Sequence, residues 1–221
     1  MKGDLLFAQE AARKEFSKTH PKVAAFLKEL LGRSKAIEFQ GGYVLNAHLP
    51  PYPSKAFKTL LSHLNGEQPG GICMATIAVT NRCMYKCAHC YNAGRKQREM
   101  PLERLKELAE ELQEMGIAVA TLSGGEALLR EDLEEIASAF DSRSMLRLDS
   151  TGFGLTPDRA RALKDAGVFS IGISLDSLDE AEHDARRSAK GAFQTALRAL
   201  EMSSEAGLYP YVVSVPFKGF L

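Results

Sequence analysis

A chain of 221 residues with 45% hydrophobic side chains is long enough to bury most of its apolar surface as one domain with an appended element, which excludes a disordered or fibrous protein. Lysine plus arginine number 28 and aspartate plus glutamate 28, so no basic field draws the chain to nucleic acid or to an anionic membrane surface. The apolar stretch from Leu5 to Ala8 is too short for a signal-peptide core, no later run is fit to span a bilayer, and three of the four cysteines share one loop rather than forming a disulfide framework, so a cytoplasmic location is expected.

Leu5, Ala8, Ala12 and Phe16 recur at helical spacing, and Val23, Phe26, Leu27, Leu30 and Leu31 do so again after Pro21, a residue suited to a first helical turn. Gly41-Gly42 and the cluster Pro50-Pro51-Tyr52-Pro53 break the pattern. Phe57, Leu60, Leu61 and Leu64 resume it before Asn65-Gly66 and Pro69-Gly70-Gly71. A boundary is expected there, with 1–70 as an N-terminal helical extension, read as a cap, and 71–221 as the core.

From Ile72 to Thr80 the sequence reads as a strand, followed by the cysteine loop. Pro101 then opens a helix with Leu102, Leu105, Leu108, Leu112 and Met115 inward, stopped by Gly116. Ile117 to Leu122 predicts the second strand, Leu133 to Phe140 a helix, and Met145 to Asp149 the third strand. Thr156-Pro157 caps and starts a helix ended by Gly167; Phe169 to Leu175 is the fourth strand; Phe193 to Leu200 lies in a helix ended by Gly207; and Tyr209 to Val215 is the fifth strand. Strand, helix, glycine and strand repeated in this way predict consecutive βαβ units and a parallel sheet. Periodicity alone does not choose between a doubly wound layer and part of a barrel.

Cys83, Cys87 and Cys90 stand in the spacing C-x3-C-x2-C within Thr80-Asn81-Arg82-Cys83-Met84-Tyr85-Lys86-Cys87-Ala88-His89-Cys90-Tyr91. Thiolates are soft donors for iron-sulfur clusters or zinc, and short loop spacings let several sulfurs converge. Zinc in a closed site needs a fourth donor, for which Cys73 and His89 are the candidates. Three thiolates on a 4Fe-4S cubane instead leave one iron open to bind something.

The cysteine run resembles the cluster loop of the radical S-adenosylmethionine (SAM) superfamily, with His89 where an aromatic is usual. The resemblance implies a 4Fe-4S cluster on Cys83, Cys87 and Cys90 whose open iron chelates SAM. Reductive cleavage then yields a 5'-deoxyadenosyl radical that abstracts hydrogen from substrate, the protein positioning and shielding it. Ser123-Gly124-Gly125-Glu126 is similar to the family's GGE motif, which implies that Gly124, Gly125 and Glu126 hold the SAM amino group; Ala127 stands where proline is more common. Read from residues alone, the same run is a turn followed by an acidic first helical turn.

Ser150-Thr151-Gly152 and Ser174-Leu175-Asp176-Ser177 follow strands three and four, placing hydroxyls and a carboxylate where βα loops converge. Similarity to the Ser-Leu-Asp-Gly run of peptide-modifying members implies that Ser174 contacts ribose. His183-Asp184-Ala185-Arg186-Arg187 resembles their His-Asp-x-x-Arg stretch, which implies that Arg187 forks onto the SAM carboxylate. His183 reads as structural, Cys73 as a small buried residue, and Tyr91 and Asn92 as flanking adenine or cluster.

The resemblance further implies a partial (β/α)6 barrel, an α/β fold, with about five strands present and the chain stopping before the sixth unit. Its nearest branch modifies peptides or matures protein-derived and tetrapyrrole cofactors. The partners implied are a peptide or small-molecule substrate and an electron donor such as a ferredoxin or flavodoxin. No cysteine follows Cys90, so no auxiliary cluster is expected, and no residue is assigned to catalysis on substrate. The rival readings are a non-catalytic iron-sulfur or zinc module and an inactive remnant.

Overall fold

The computed structural model describes residues 10–33, 36–67, 71–95 and 98–216. In chain order the elements are α1 (10–16), α2 (Pro21–Arg33), β1 (Ile37–Phe39), β2 (Gly42–Val44), α3 (Lys55–Leu64), β3 (Met74–Thr80), α4 (Leu102–Glu114), β4 (Val119–Gly124), a 3-10 turn (Ala127–Leu129), α5 (Leu133–Ala137), β5 (Met145–Ser150), α6 (Pro157–Asp165), β6 (Val168–Ser174), α7 (Glu180–Arg187), α8 (Ala192–Glu205) and β7 (Tyr209–Val213). No helix among the described residues is long and apolar enough to cross a membrane. Leu5 and Ala8 of the first expected helix, and the side chains of Phe26, Leu27, Leu30 and Leu31 of the second, lie outside the described residues.

The chain divides into two compact units. The first gathers Met1–Ala75, Glu110–Ala120 and Phe140–Met145; the second holds Thr76–Ala109, Thr121–Ala139 and Leu146–Leu221. In the first, Ala12, Phe16, Ala36, Leu45 and Phe57 form a buried cluster against which Val23, Tyr52, Leu61 and Leu64 pack. The rings of Phe16 and Phe57 are tilted with centroids 5.2 Å apart, and Tyr52 meets Phe57 edge-on at 5.0 Å, geometries that suit the aromatic quadrupole. Ser54 caps α3 by accepting the Phe57 N–H at 3.0 Å. A two-stranded antiparallel hairpin, β1 with β2, occupies the stretch around Gly41-Gly42 that sequence marked only as a break. At three residues a strand, it is too short for period-2 alternation to register.

The main sheet has five strands in the order β3-β4-β5-β6-β7. β5 with β6 and β6 with β7 are parallel, joined through α6 and through α7 and α8 respectively. The linear order matches an open five-stranded α/β sheet of partial-barrel type. β4 is buried along its whole length, as a central strand covered on both faces must be. β7 ends the sheet, and Val212 on it is half exposed.

The caps follow the sequence closely. Thr156 accepts the Arg159 N–H at 3.2 Å, Pro157 opens α6, and Gly167 takes a φ of +99° just past its end. Several bounds differ from expectation: β3 starts at Met74 rather than Ile72, and α5 ends at Ala137 rather than Phe140. β4 starts later than predicted, at Val119, where the Ala118 and Val119 N–H groups both donate to the Cys73 carbonyl, at 2.8 and 3.3 Å. Met115 lies past the last turn of α4 and is exposed, whereas Leu105 and Ala109, spaced by four, face the core.

α7 was not legible as an inward-facing element. Its buried members are His183 and Arg187, one helical turn apart, so the side it buries is polar and leaves no apolar stripe to find. Asp179 caps it by accepting the Glu182 N–H at 2.8 Å, and Ser188 closes it in the left-handed region at φ +51°.

Leu148 on β5 has no exposed surface while Leu178 is 88% exposed. Leu148→Ala is expected to cost about 2–5 kcal/mol and Leu178→Ala within about 0.5 kcal/mol, read as shifts of the urea unfolding midpoint.

Candidate functional site

The C-terminal ends of the strands and the loop after β3 surround a cavity of about 300 Å³ within the second unit. Cys83, Cys87 and Cys90 line it, together with Gly124 and Gly125 after β4, Ser150 and Thr151 after β5, Ser174 at the end of β6, and Arg187 from α7. The residues that sequence assigned to cluster or SAM thus line this cavity except Glu126, which is fully buried, and Asn92, expected beside adenine or cluster, does not line it.

Among the described residues the cysteine loop has no helix or strand of its own, and beyond local turns such as Cys90 N–H to the Cys87 carbonyl at 3.2 Å its backbone groups take partners from elsewhere. Two come from the glycine run: Gly125 N–H donates to the Thr80 carbonyl and Glu126 N–H to the Arg82 carbonyl, both at 2.8 Å. Two more come from the end of α7, whose Arg187 and Arg186 carbonyls accept the Lys86 and Ala88 N–H groups at 3.3 Å. The glycines are required by this approach. A Cβ on Gly124, whose φ is +140°, would stand 2.2 Å from the Thr80 oxygen, and one on Gly125 would stand 2.2 Å from the Arg82 oxygen.

Glu126, fully buried, holds two of the residues that line the cavity. One carboxylate oxygen accepts from the Leu128 N–H at 3.0 Å and Ser150 Oγ at 2.7 Å; the other accepts from the Thr151 N–H at 2.7 Å and Thr151 Oγ1 at 2.5 Å. The carboxylate thereby holds both hydroxyl residues at the cavity wall. Tyr91 reaches the same wall, donating to the Gly124 carbonyl at 3.3 Å.

Sequence reasoning passed over Asp149 on the same wall. Asp149 and Arg147 are two apart on β5 and therefore share a face. Tyr211 Oη donates to Asp149 Oδ1 at 2.8 Å and accepts from Arg147 Nε at 3.1 Å. Gly172, paired with both Asp149 and Tyr211 across β6, makes the crossing feasible, since a Cβ there would stand 2.6 Å from the tyrosine ring and hydroxyl. Burial, reinforced by Asp149, pushes the Tyr211 hydroxyl well above its ordinary pKa, so it remains a donor. The signal was present in Met145-Leu146-Arg147-Leu148-Asp149, where charges alternate with apolar residues.

Beneath the loop, fully buried Asp176 meets the Arg187 guanidinium at 2.8 Å and lies 3.5 Å from His89 Nε2. Its N–H donates to His183 Nδ1 at 3.1 Å. Burial, and then the nearby Arg187 charge, lower the His183 pKa, which suits a ring nitrogen that must accept. Cys73 sits before β3, where burial pushes its thiol up.

Three free thiols lining one cavity make a soft donor set. A bound cation would favour the thiolate form of these cysteines. Among the described residues, no three His, Cys, Asp or Glu side chains stand close enough together to hold a single metal ion. A cubane asks for something wider, because each thiolate binds a different iron. The residues present fit such a cluster.

The sequence profile of the radical SAM superfamily matches residues 77–219. The Fe-coproporphyrin III synthase of Methanosarcina barkeri is 37% identical over 134 residues, 59% of this chain and 33% of that protein. A probable GTP 3',8-cyclase of Methanocella arvoryzae is 31% identical over 143 residues, 64% of this chain and 46% of that protein. The chain therefore spans between a third and a half of these relatives. The crystal structure of Streptococcus suis SuiB bound to precursor peptide SuiA shares the fold at a TM-score of 0.57 and 16% identity, covering 72% of this chain and 35% of that one.

Glu126→Ala strands the donors of Leu128, Ser150 and Thr151 in a buried site. It is expected to cost roughly 2–3 kcal/mol, read by urea unfolding, with Glu126→Gln losing less because one acceptor oxygen remains.

Proposed function

Since the chain belongs to the radical SAM superfamily, we propose that it is a radical SAM enzyme acting on a peptide or a cofactor precursor. The observation that carries this is the convergence of Cys83, Cys87 and Cys90 on one cavity with the glycine turn and the strand-end hydroxyls. In this reading the three cysteines hold a 4Fe-4S cluster and SAM occupies the adjoining space. When bound, these groups supply reductive cleavage of SAM and a 5'-deoxyadenosyl radical that takes hydrogen from substrate.

The chain's own part is to bind and orient. Ser123 and the Gly124 carbonyl offer acceptors for the SAM amino group at the wall that Gly124 and Gly125 form. Glu126 supports that wall by holding Ser150 and Thr151 from behind. Ser174, at the end of β6, offers a hydroxyl to ribose. The fixed carboxylate of Asp149 faces the same cavity as a further acceptor.

The substrate class is supported by the company the chain keeps. One relative is named for a porphyrin, and the fold is shared with a protein crystallised on a precursor peptide. A one-electron donor such as a ferredoxin or flavodoxin supplies the reducing equivalent, and a reducing cytoplasm suits an exposed-thiol cluster loop. The balanced charge supports no nucleic-acid partner.

Anaerobic reconstitution with iron and sulfide, followed by electron paramagnetic resonance of the reduced protein, tests the reading. A cubane signal that changes on adding SAM is expected. A cluster indifferent to SAM would reassign the chain to a non-catalytic iron-sulfur module. In the same assay Cys87→Ala is expected to lose the cluster's visible absorption, and a variant that retained it would remove Cys87 from the ligand set.

A further inference from the structure

Arg187 is 6% exposed at the last turn of α7, and the atoms around it are specific. Its Nη2 meets Asp176 Oδ2 at 2.8 Å, and its Nη1 donates to Cys87 Sγ at 3.7 Å. The backbone repeats the contact: the carbonyls of Arg187 and Arg186 accept the N–H groups of Lys86 and Ala88, the residues on either side of Cys87. The end of α7 thus brackets this one cysteine with two main-chain bonds and a guanidinium.

Asp176 is what keeps the guanidinium there. It has no exposed surface, and its other oxygen accepts the Val215 N–H at 3.1 Å. A buried carboxylate so fixed holds a buried arginine in one rotamer. Of the five guanidinium N–H groups, one on Nη1 is directed at sulfur, while Nη2 faces Asp176 Oδ2 as an ion pair, Oδ2 and Nε having no hydrogen-bond partner among the described residues. The buried carboxylate and the sulfur together fix where the positive charge stands.

We propose that Arg187 is a positioning residue for the cluster: clamped by Asp176, it donates a hydrogen bond to the Cys87 sulfur and holds a positive charge against it. The inference rests on the radical SAM reading above. A cation and an N–H donor at a ligating thiolate stabilise the more negative, reduced state of an iron-sulfur centre and so raise its potential. Burial keeps the effect from being screened away.

The signs of the charges supply the test. Wild type, Arg187→Met, Asp176→Asn and the double variant are reconstituted anaerobically. Cluster content is read by absorbance, midpoint potential by redox titration without SAM, and SAM affinity by equilibrium binding. Arg187→Met is expected to move the midpoint negative, and Asp176→Asn, whose amide oxygen still accepts from the guanidinium while the compensating charge is lost, to move it positive. SAM affinity is expected to stay close to wild type in both. Loosened packing alone would not shift the two in opposite directions.

If either single variant fails to fold, the double variant decides, because removing a buried pair together is tolerated better than removing one partner. Its midpoint is expected to lie negative of wild type, the lost arginine being the group in contact with sulfur. Unmoved midpoints in cluster-bearing variants would overturn the proposal, as would a large loss of SAM affinity in Arg187→Met with its midpoint unchanged, which would return Arg187 to the SAM carboxylate. A wild-type protein that builds no cluster would overturn the functional reading and this inference together.

Discussion

Every candidate ligand in this chain depends on how an irregular loop is held. The described residues between β3 and α4 carry three cysteines but form no ladder or helix of their own, so beyond a few local turns their backbone groups are satisfied by neighbours. The glycine pair after β4 does this on one side, approaching Thr80 and Arg82 so closely that any side chain would collide. The last carbonyls of α7 do it on the other. Those carbonyls are left over at every helix end, and here they become the acceptors that place the loop.

Buried charge organises the rest of the cavity. Glu126, Asp176, Arg147 and Arg187 all lie at or below 6% exposure. A buried charge is tolerated when its partners are in place and geometrically sound. Glu126 meets four donors, Asp176 is matched by Arg187, and Arg147 shares Tyr211 with Asp149. The four donors on Glu126 satisfy its carboxylate in one arrangement, which holds that part of the cavity wall in place. Apolar packing in the sheet supplies stability, and the polar residues at its C-terminal rim supply position.

Much of the fold was readable because it follows local rules. Leucines at helical spacing, a Thr-Pro helix start and glycines after helix ends placed α4, α6, α8 and the strands between them within a few residues. The hairpin of β1 and β2 was too short to announce itself, and α7 buries polar residues where a reader looks for apolar ones. The cysteine spacing pointed to a soft-metal site for the same local reason, since three thiols within eight residues form a ready donor set in a chain whose cysteines are free.

What the sequence determined by itself was therefore the alternation of strand and helix, the donor set in one loop and the family resemblance these motifs carry. Only the tertiary structure decided what each polar side chain does. Glu126 meets residues 150 and 151, Asp149 meets Tyr211 across Gly172, and Arg187 meets Asp176 and Cys87, one hundred residues away in the chain. Local periodicity reports which residues form a helix or strand because those bonds lie within four residues or along one face. Pairings between strand ends are set by register and crossover, and no local pattern encodes them.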